Sequence, residues 1–325
     1  MTPIYKYQTL IDTNKLNWNY LSRNENAIPI LEQNINKISW SWLSRNSNAI
    51  KILEKYPHKI EWISLSSNEN AIHILEQNLD KVNWSNLTTN TNAIHILKNN
   101  LDKIDFRYLS YNKNPQAIPI LENYLLTTTV PHNIWIYLGM RPNLINLIEK
   151  NLDKINLSYL SMNENAIHIL EQNQDKINWM YLSANENAIH ILEKNIDKVD
   201  WYSLSQNEKA IPILEKNIDK ILWSGLSQNE NAIHILEKNI VKVNWTHLSE
   251  NSNALPILSQ HIDKINWDNL SKNPSLFELD YIAMSSQRVK LIESELISKA
   301  LHPSRISKWL EHHLENGKDI SDFEY

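Results

Sequence analysis

The sequence contains no cysteine, and only three of its 325 residues are glycine. Without cysteine the chain forms neither disulfides nor thiolate metal sites, so its folding needs no oxidising compartment. No apolar run approaches the roughly 18 residues that a membrane-spanning helix requires. The N-terminal stretch also lacks the apolar segment of a signal peptide. These absences lead us to expect an intracellular protein that does not enter the membrane.

An excess of positive charge is missing as well. The chain has 32 basic and 37 acidic residues, a formal net charge of −5. A protein that grips phosphate backbones along its whole surface normally carries a strongly basic field. Nucleic acid is therefore not the partner that the composition favours.

What the sequence does contain is a tryptophan that recurs every 22 residues, and a fixed period of this length is typical of a solenoid. We number the positions of each repeat from this residue, which is position 0. Repeats 1 to 12 begin at Trp18, Trp40, Trp62, Trp84, Phe106, Trp135, Leu157, Trp179, Trp201, Trp223, Trp245 and Trp267. The step from repeat 5 to repeat 6 is 29 residues long, because of an insertion within 107–134.

Apolar residues recur at positions 0, 3, 9, 10, 12 and 13 of each repeat. These spacings predict two short helices per repeat, each with one apolar face. Helices this short are unstable alone, so neighbouring repeats must stack and bury those faces. The sequence thus predicts an all-α fold, an α-solenoid of about twelve repeats. A β-solenoid is disfavoured, since turn glycines and alternating apolar residues are missing.

Asparagine has structural work in this pattern, because it caps helix ends. Position 16 is usually asparagine, as at Asn34, and is expected to end the second helix. Asparagines at positions 6 and 8 compete as its N-cap. Asn273-Pro274 favours position 6, whereas the prolines at position 11, such as Pro29, favour position 8, which we prefer.

An open array of twelve stacked repeats would form a rod or arc about 100 Å long, with helices packed about 8–10 Å apart. Both ends of such an array need covering. We therefore predict an N-terminal cap at 1–17, the repeat array at 18–280, and C-terminal capping helices at 281–325.

The repeat motif W-x-x-L-S-x-N-x-N-A-I-x-I-L-E, with the ending Ala300-Leu301-His302-Pro303-Ser304-Arg305-Ile306, resembles the short tandem-repeat proteins of giant DNA viruses that infect amoebae. Those proteins commonly carry Asn-Pro where this chain has Asn-Glu, as at Asn163-Glu164. The resemblance implies a viral helical-repeat protein, which would act in the host cytoplasm. It transfers no catalytic residue.

Position 11 carries five histidines, four of which precede a glutamate by three residues, as His73 precedes Glu76. This spacing puts both side chains on one helix face, where they could bind a metal. Because the same position accepts Pro29 and Lys51, an exposed helix start explains the pattern better. We predict no metal site and no cofactor.

Position 19 is lysine in almost every repeat, for example Lys37, Lys81 and Lys198. Such a line of cations could follow a polyphosphate backbone. However, aspartate precedes most of these lysines, so a solvated row of compensated charges is the simpler interpretation.

Positions 2 and 5 lie one turn apart on the first helix, away from its apolar face. They vary among repeats and carry aromatic and arginine residues, which are enriched in protein interfaces. The predicted protein-binding residues are Tyr20, Arg23, Trp42, Arg45, Tyr108, Tyr111, Tyr137, Tyr159 and Tyr181. Alternatively, the large side chains at position 2 only pack between adjacent first helices.

No group of acidic, histidine or hydroxyl residues breaks the repeat in the manner of a catalytic site. The sequence therefore predicts a non-enzymatic scaffold that binds a protein partner along an aromatic face. If the viral resemblance holds, that partner is a host protein. The alternative is a nucleic-acid-binding solenoid that uses the lysine column and aromatic stacking.

Overall fold

The computed structural model describes residues 5–7, 11–128 and 133–315. It is predominantly helical, with helices packed in a repeated pattern, which confirms the predicted all-α solenoid. The described residues fall into two compact units, those of the stretch Thr9–Leu276 and those of Met1–Gln8 together with Phe277–Tyr325.

Every repeat begins with a short helix at or near position 0, and within the described residues repeats 1 to 11 also have a second helix. The first helices are Trp18–Arg23, Trp40–Arg45, Trp62–Leu65, Trp84–Thr89, Phe106–Leu109, Asn133–Gly139, Leu157–Leu160, Trp179–Ala184, Trp201–Gln206, Trp223–Leu226, Trp245–Leu248 and Trp267–Leu270. The second helices are Ile28–Gln33, Ile50–Lys55, Ile72–Glu76, Ile94–Lys98, Ala117–Thr127, Ile145–Glu149, Ile167–Glu171, Ile189–Lys194, Ile211–Lys216, Ile233–Lys238 and Leu255–Gln260. The leucines at positions 3 and 13 are almost fully buried between the two helices wherever they occur, as Leu21 and Leu31 are.

Asparagine at position 6 ends the first helix and starts a single 3₁₀ turn over positions 7 to 9. In repeat 1, the Asn24 side chain accepts a hydrogen bond from the backbone N–H of Asn26, and the turn Glu25–Ala27 follows. The second helix then begins at position 10, so Pro29 lies in its first turn. Our preference for position 8 as the N-cap is therefore wrong. The prolines at position 11 need only a late helix start, which the 3₁₀ turn supplies.

Position 16 caps the C-terminus of the second helix, as predicted. The backbone N–H of Asn34 donates to Leu31, and its side-chain amide donates to the Ile30 carbonyl at 2.9 Å. Its φ of −131° shows that the cap does not use the left-handed conformation. A local side-chain hydrogen bond thus replaces the usual glycine.

The asparagines at position 6 also tie each repeat to the one before it. The Asn46 side-chain amide donates to the carbonyls of Ser22 and Asn24, both at 3.1 Å. Eleven repeats have this buried residue: Asn24, Asn46, Asn68, Asn90, Asn112, Asn163, Asn185, Asn207, Asn229, Asn251 and Asn273. Because the carbonyls lie in a buried interface, the amide satisfies groups that water does not reach. We call this row the asparagine ladder.

A second row of hydrogen bonds uses the hydroxyl at position 4. Ser22 donates to the Trp18 carbonyl at 2.7 Å and accepts from the Ser39 backbone N–H of the next repeat at 3.0 Å. The same arrangement recurs at Ser66 and Ser227. The hydroxyl thus joins the start of one first helix to the start of the next.

Both rows continue from repeat 12 to repeat 1. The Asn17 backbone N–H donates to Ser271 Oγ at 2.8 Å, and the Asn24 side-chain amide donates to the Asn273 carbonyl at 3.1 Å. Asn26 likewise donates to the Pro274 carbonyl. The same kinds of contact join consecutive repeats elsewhere in the array, as between Asn46 or Asn48 and repeat 1. The array of this unit is therefore a closed ring.

Repeat 12 is assembled from both ends of the unit. Its first helix, Trp267–Leu270, comes from the C-terminal side, and the 3₁₀ turn Thr13–Lys15 supplies the stretch before repeat 1. Lys15 lies over the Trp267 ring at 5.1 Å, as position 19 does in other repeats. The predictions of an open rod and of an N-terminal cap at 1–17 are thus wrong for residues 12–17, which belong to the ring. Residues 1–4 and 8–10 lie outside the described residues.

First helices lie on the inner side of the ring. Consecutive first helices pack directly on one another, whereas consecutive second helices are farther apart. At one such contact, a Cβ added to Gly225 would lie 2.9 Å from the Tyr202 carbonyl oxygen. In a closed ring, the more closely spaced elements occupy the smaller circumference. Twelve helices about 8–10 Å apart place their axes on a circle about 30–40 Å across.

The second unit contains strands Tyr5–Tyr7 and Phe277–Leu279, which pair antiparallel with Lys6 opposite Glu278. Two helices follow, Tyr281–Ala300 and Pro303–Glu315. The predicted helical character of 281–325 is thus present up to residue 315, and residues 316–325 lie outside the described part. The capping role of this segment stays a prediction, although a closed ring leaves no free end of the kind that motivated it.

Candidate protein-binding face

Positions 1, 2 and 5 of the first helix form one surface, which we call the inner face. Successive residues of a helix are about 100° apart, so these three positions point away from positions 0 and 3, which face the second helix. Since the first helices lie inside the ring, the inner face is directed toward its centre. The sequence predicted positions 2 and 5 of this face from their variation among repeats, and did not show that they face the centre of a ring.

Position 2 mainly fills the space between neighbouring first helices. Tyr159 and Tyr181 stack with ring centroids 5.9 Å apart. Where position 2 is polar it hydrogen-bonds across the same gap, as Asn86 does to the Ile63 carbonyl at 2.7 Å. The interpretation of position 2 as packing between repeats therefore holds for the half-buried Tyr159 and Tyr181. Their exposed edges still contribute to the inner face.

The predicted residues of repeats 1 and 2 form a small cluster. Lys272 lies over the Tyr20 ring at 4.7 Å, and Arg23 lies over the Trp42 ring at 5.4 Å. Both rings are half-buried under these cations, while Arg45 is exposed. This cluster therefore presents guanidinium groups rather than open aromatic surface.

Most exposed apolar side chains of the inner face lie in repeats 5 to 9 and are 37–49 % exposed, whereas Ile63 of repeat 3, which is 65 % exposed, stands apart from them. Those in repeats 5 to 9 are Tyr108, Tyr111, Met162, Met180 and Tyr202. Together with the half-buried Tyr137, Tyr159 and Tyr181 we call them the aromatic arc. Polar residues at position 2 separate it from repeats 1 and 2, namely Ser64 and Asn86. The structure thus divides the nine predicted residues between two places.

Sequence reasoning missed Met180 and Tyr202, which lie at position 1. A residue four places before position 5 shares its helix face, so the spacing itself could have revealed them. Serine at this position in repeats 2, 4, 7 and 10 hides the pattern in the sequence.

Repeat 6 interrupts both hydrogen-bonded rows. Gly139 replaces the hydroxyl of position 4, and Arg141 replaces the asparagine of position 6. The Arg141 guanidinium lies 3.5 Å from the centre of the Tyr111 ring, and its Nε is buried without a hydrogen-bond partner. The Tyr111 ring in turn contacts Tyr137 at 5.9 Å. The one break in the asparagine ladder therefore lies inside the aromatic arc.

A second arginine of this region is already paired. Arg107 donates two side-chain hydrogen bonds to Asp105, at 3.0 and 2.6 Å. These bonds hold the pKa of the Asp105 carboxyl below its ordinary value and raise the pKa of Arg107. Asp105 also accepts from the Arg107 backbone N–H and so caps the first helix of repeat 5. Arg107 is thus committed to its own helix start.

Restoring both rows in repeat 6 should stabilise the ring. In the variant Gly139→Ser with Arg141→Asn, the new hydroxyl can accept from the Asn156 backbone N–H, and the new amide can donate to carbonyls of repeat 5. A Cβ at position 139 meets Ile155 Cγ2 at 3.5 Å, so serine fits. At about 1 kcal/mol net per hydrogen bond, we expect the unfolding free energy to rise by about 2 kcal/mol.

Scanning calorimetry checks this expectation as a higher Tm. Lys238→Asn, on an exposed second-helix position, is the matched control for the lost cation and should leave Tm unchanged. An unchanged or lower Tm for the double variant would show that Gly139 and Arg141 suit the fold better than the ladder residues.

The lysine column has a role inside the repeats. Lys37 lies 4.7 Å from the Trp18 ring centre, and seven further repeats repeat this contact, counting Lys15 over Trp267. In three other repeats an aromatic residue at or equivalent to position 16 covers the ring instead, as Tyr56 covers Trp40 at 5.5 Å. Cation–π contact with a half-buried ring explains why lysine is so uniform.

Each position-11 histidine bonds to a glutamate of the preceding repeat. His73 Nε2 lies 2.8 Å from Glu54 Oε1, and His190 Nε2 lies 2.8 Å from Glu171 Oε1. The glutamate three residues later in the same repeat, considered from the sequence, is not the partner. Among the residues that the structure describes, no group of three or more metal-ligating side chains converges. The histidines therefore bridge adjacent second helices.

Comparison with family models, with curated proteins and with solved structures gives no match for this chain. Within residues 5–7, 11–128 and 133–315, no helix combines the length and hydropathy needed to cross a membrane.

Proposed function

We propose that this protein is a non-enzymatic ring scaffold that binds a segment of another protein through the aromatic arc. The observation that carries the proposal is the group of exposed tyrosine and methionine side chains on the first helices of repeats 5, 7, 8 and 9, which the half-buried Tyr137 of repeat 6 links. Large apolar side chains left exposed side by side favour an interaction surface over solvent.

The residue types of the arc suit recognition of a peptide. Tyrosine supplies contact area with few rotatable bonds, and methionine adapts its shape to different apolar partners. The ring limits the partner's size, because helices about 10–12 Å in diameter leave a central space about 20–30 Å wide. An extended segment or a single helix of the partner fits this space, whereas a globular domain does not. The resemblance to giant-virus repeat proteins would make that partner a host protein.

Nucleic acid is the less favoured ligand. The charged residues at positions 1, 2 and 5 are Arg23, Arg45, Arg107, Asp268, Glu250 and Lys272. This small excess of cations includes one already paired with Asp105 and one near Glu250. Tracking of a phosphate backbone needs many unpaired cations.

Removing the exposed side chains of the arc should abolish partner binding. In the variant Tyr108→Ser, Met162→Ser, Met180→Ser and Tyr202→Ser, we expect affinity for the partner to fall about 100-fold or more, since clustered anchors dominate interface energies. Partners are recovered from cells that express the protein and identified by mass spectrometry. Their affinities for the purified variant are then measured by calorimetry.

The matched control changes four exposed apolar residues outside the arc to serine: Leu101, Leu152, Leu222 and Val241. It should bind the partner as the unchanged protein does. Equal affinity of the arc variant and the unchanged protein would contradict the proposal. Recovery of RNA or DNA with a steep salt dependence would favour the nucleic-acid alternative.

A further inference from the structure

Arg141, at position 6 of repeat 6, lies beside the inner face as a half-buried arginine whose donors the protein leaves unused. Its guanidinium makes no hydrogen bond and no ion pair with any described residue, and its Nε is buried. The Tyr111 ring covers one face of the group at 3.5 Å. This contact orients the guanidinium and leaves the N–H groups at its edge without a partner.

The unpaired, partly buried guanidinium of Arg141 lowers the stability of the fold, and the ring does not need it. A guanidinium stays charged at any physiological pH, and a partly buried charge without an acceptor is unfavourable. Eleven repeats place asparagine at this position and satisfy its amide. Asparagine would therefore serve the ring better, and the arginine needs another explanation.

The surroundings of Arg141 favour an anion. Asp105, which caps the first helix of the preceding repeat, is already bonded to Arg107. At position 7, six repeats have glutamate, whereas repeat 5 has Lys113, which forms no ion pair in the described part of the chain. The junction of repeats 5 and 6 is thus basic within an acidic protein.

We propose that Arg141 binds the carboxylate of an aspartate or glutamate in the partner segment, and that neighbouring apolar residues of that segment contact Tyr108 and Tyr111. This inference rests on the proposed function and adds the chemistry of the partner. A guanidinium held by one face offers a planar edge that matches a carboxylate with two parallel hydrogen bonds. A phosphate group usually gathers several unpaired cations, and here a single guanidinium is in place.

The test uses the full chain and the variant Arg141→Asn, which keeps the ring folded because asparagine is the ladder residue. Random displayed peptides are selected on the unchanged protein, and those that lose binding to the four-serine arc variant are kept. We expect each to contain an aspartate or glutamate whose amide version binds about 30-fold or more weakly, as for truncation of a buried charge pair.

The peptide with the carboxylate should bind the Arg141→Asn variant about 30-fold more weakly than it binds the unchanged protein. The amide version of the peptide should bind the variant and the unchanged protein equally. Arg141→Lys should recover only part of the affinity, since lysine lacks the planar fork. Lys238→Asn, which also removes one positive charge, should bind like the unchanged protein.

Arc-dependent peptides that bind Arg141→Asn unchanged would overturn this inference and leave the proposed function standing. Stronger binding of a phosphoserine version than of the aspartate version would also overturn it, in favour of phosphate recognition. If no selected peptide depends on the arc, both the proposed function and this inference fail.

Discussion

Two probes placed in repeats 1 and 12 should lie as close together as probes in adjacent repeats. We expect spin labels on Glu25→Cys and Ser275→Cys to be separated by about 10 Å at the backbone, the spacing of neighbouring helices. An open array of the same repeats would hold them about 90–110 Å apart. The absence of cysteine lets each pair be introduced without background labelling.

The short distance is expected because a set of hydrogen bonds joins repeat 1 to repeat 12. Asn17, Asn24 and Asn26 reach repeat 12 with the same donors that other repeats use toward their predecessors. These bonds satisfy buried polar groups, and separating the ends would expose the apolar faces of two repeats. The closed form is therefore favoured over an open array of identical repeats.

A series of pairs tests closure more strictly than one distance. With one label on Glu25, the second label is moved to Glu69, Glu164, Glu230 and Ser275. In a ring, the distance between the two labels, measured by pulsed electron paramagnetic resonance, rises to a maximum with the second label at Glu164, in repeat 7, and then falls. A steady increase along the series would disprove the ring.

The second large effect is expected from the asparagine ladder. Asn229→Leu should lower the unfolding free energy by about 2–5 kcal/mol, because the Ser205 carbonyl loses its donor and the Asn231 N–H loses its acceptor, and each unsatisfied group costs about 1–3 kcal/mol. Asn229 donates to Ser205 and Asn207 at 3.1 and 3.0 Å and accepts from Asn231 at 3.0 Å. Leucine has the same branched outline and as many non-hydrogen side-chain atoms, so the substitution leaves no cavity that would explain such a change.

Urea denaturation followed by circular dichroism measures the change. Asn36→Leu is the matched control, since this exposed side chain makes no hydrogen bond within the described residues, and its effect should stay below about 0.5 kcal/mol. Asn229→Asp should destabilise at least as much as leucine, because a carboxylate cannot donate to the two carbonyls. Equal small effects at 229 and 36 would show that the ladder contributes little.

Much of the fold could be predicted from local patterns. The spacing of Trp18, Leu21 and the apolar group that follows predicted two helices per repeat, and Asn34 was correctly placed at a helix end. The capping role of position 6 was misjudged, because both Asn24 and Asn26 are good capping residues and the sequence does not show which amide points into the neighbouring repeat. That choice is made by the carbonyls of the preceding repeat.

The candidate site was predicted in part. Position 2 and position 5 were recognised from their variation, but packing or exposure at Tyr159 and Tyr108 depends on the neighbouring helix, which no local pattern specifies. Arg141 could have been found, since it breaks a column that is asparagine in the other eleven repeats. Its significance became visible only when that column proved to be a hydrogen-bonded ladder with one member missing.

By itself, the sequence determined the repeat length, the pairing of helices and the need for repeats to stack, because these follow from short-range periodicity and from helices too short to stand alone. Only the tertiary structure decided that the array closes and that its variable face is turned inward. Closure depends on the small rotation between consecutive repeats, which side-chain packing sets and which accumulates over the whole array. The pattern of residues within one repeat does not determine the total rotation over twelve repeats.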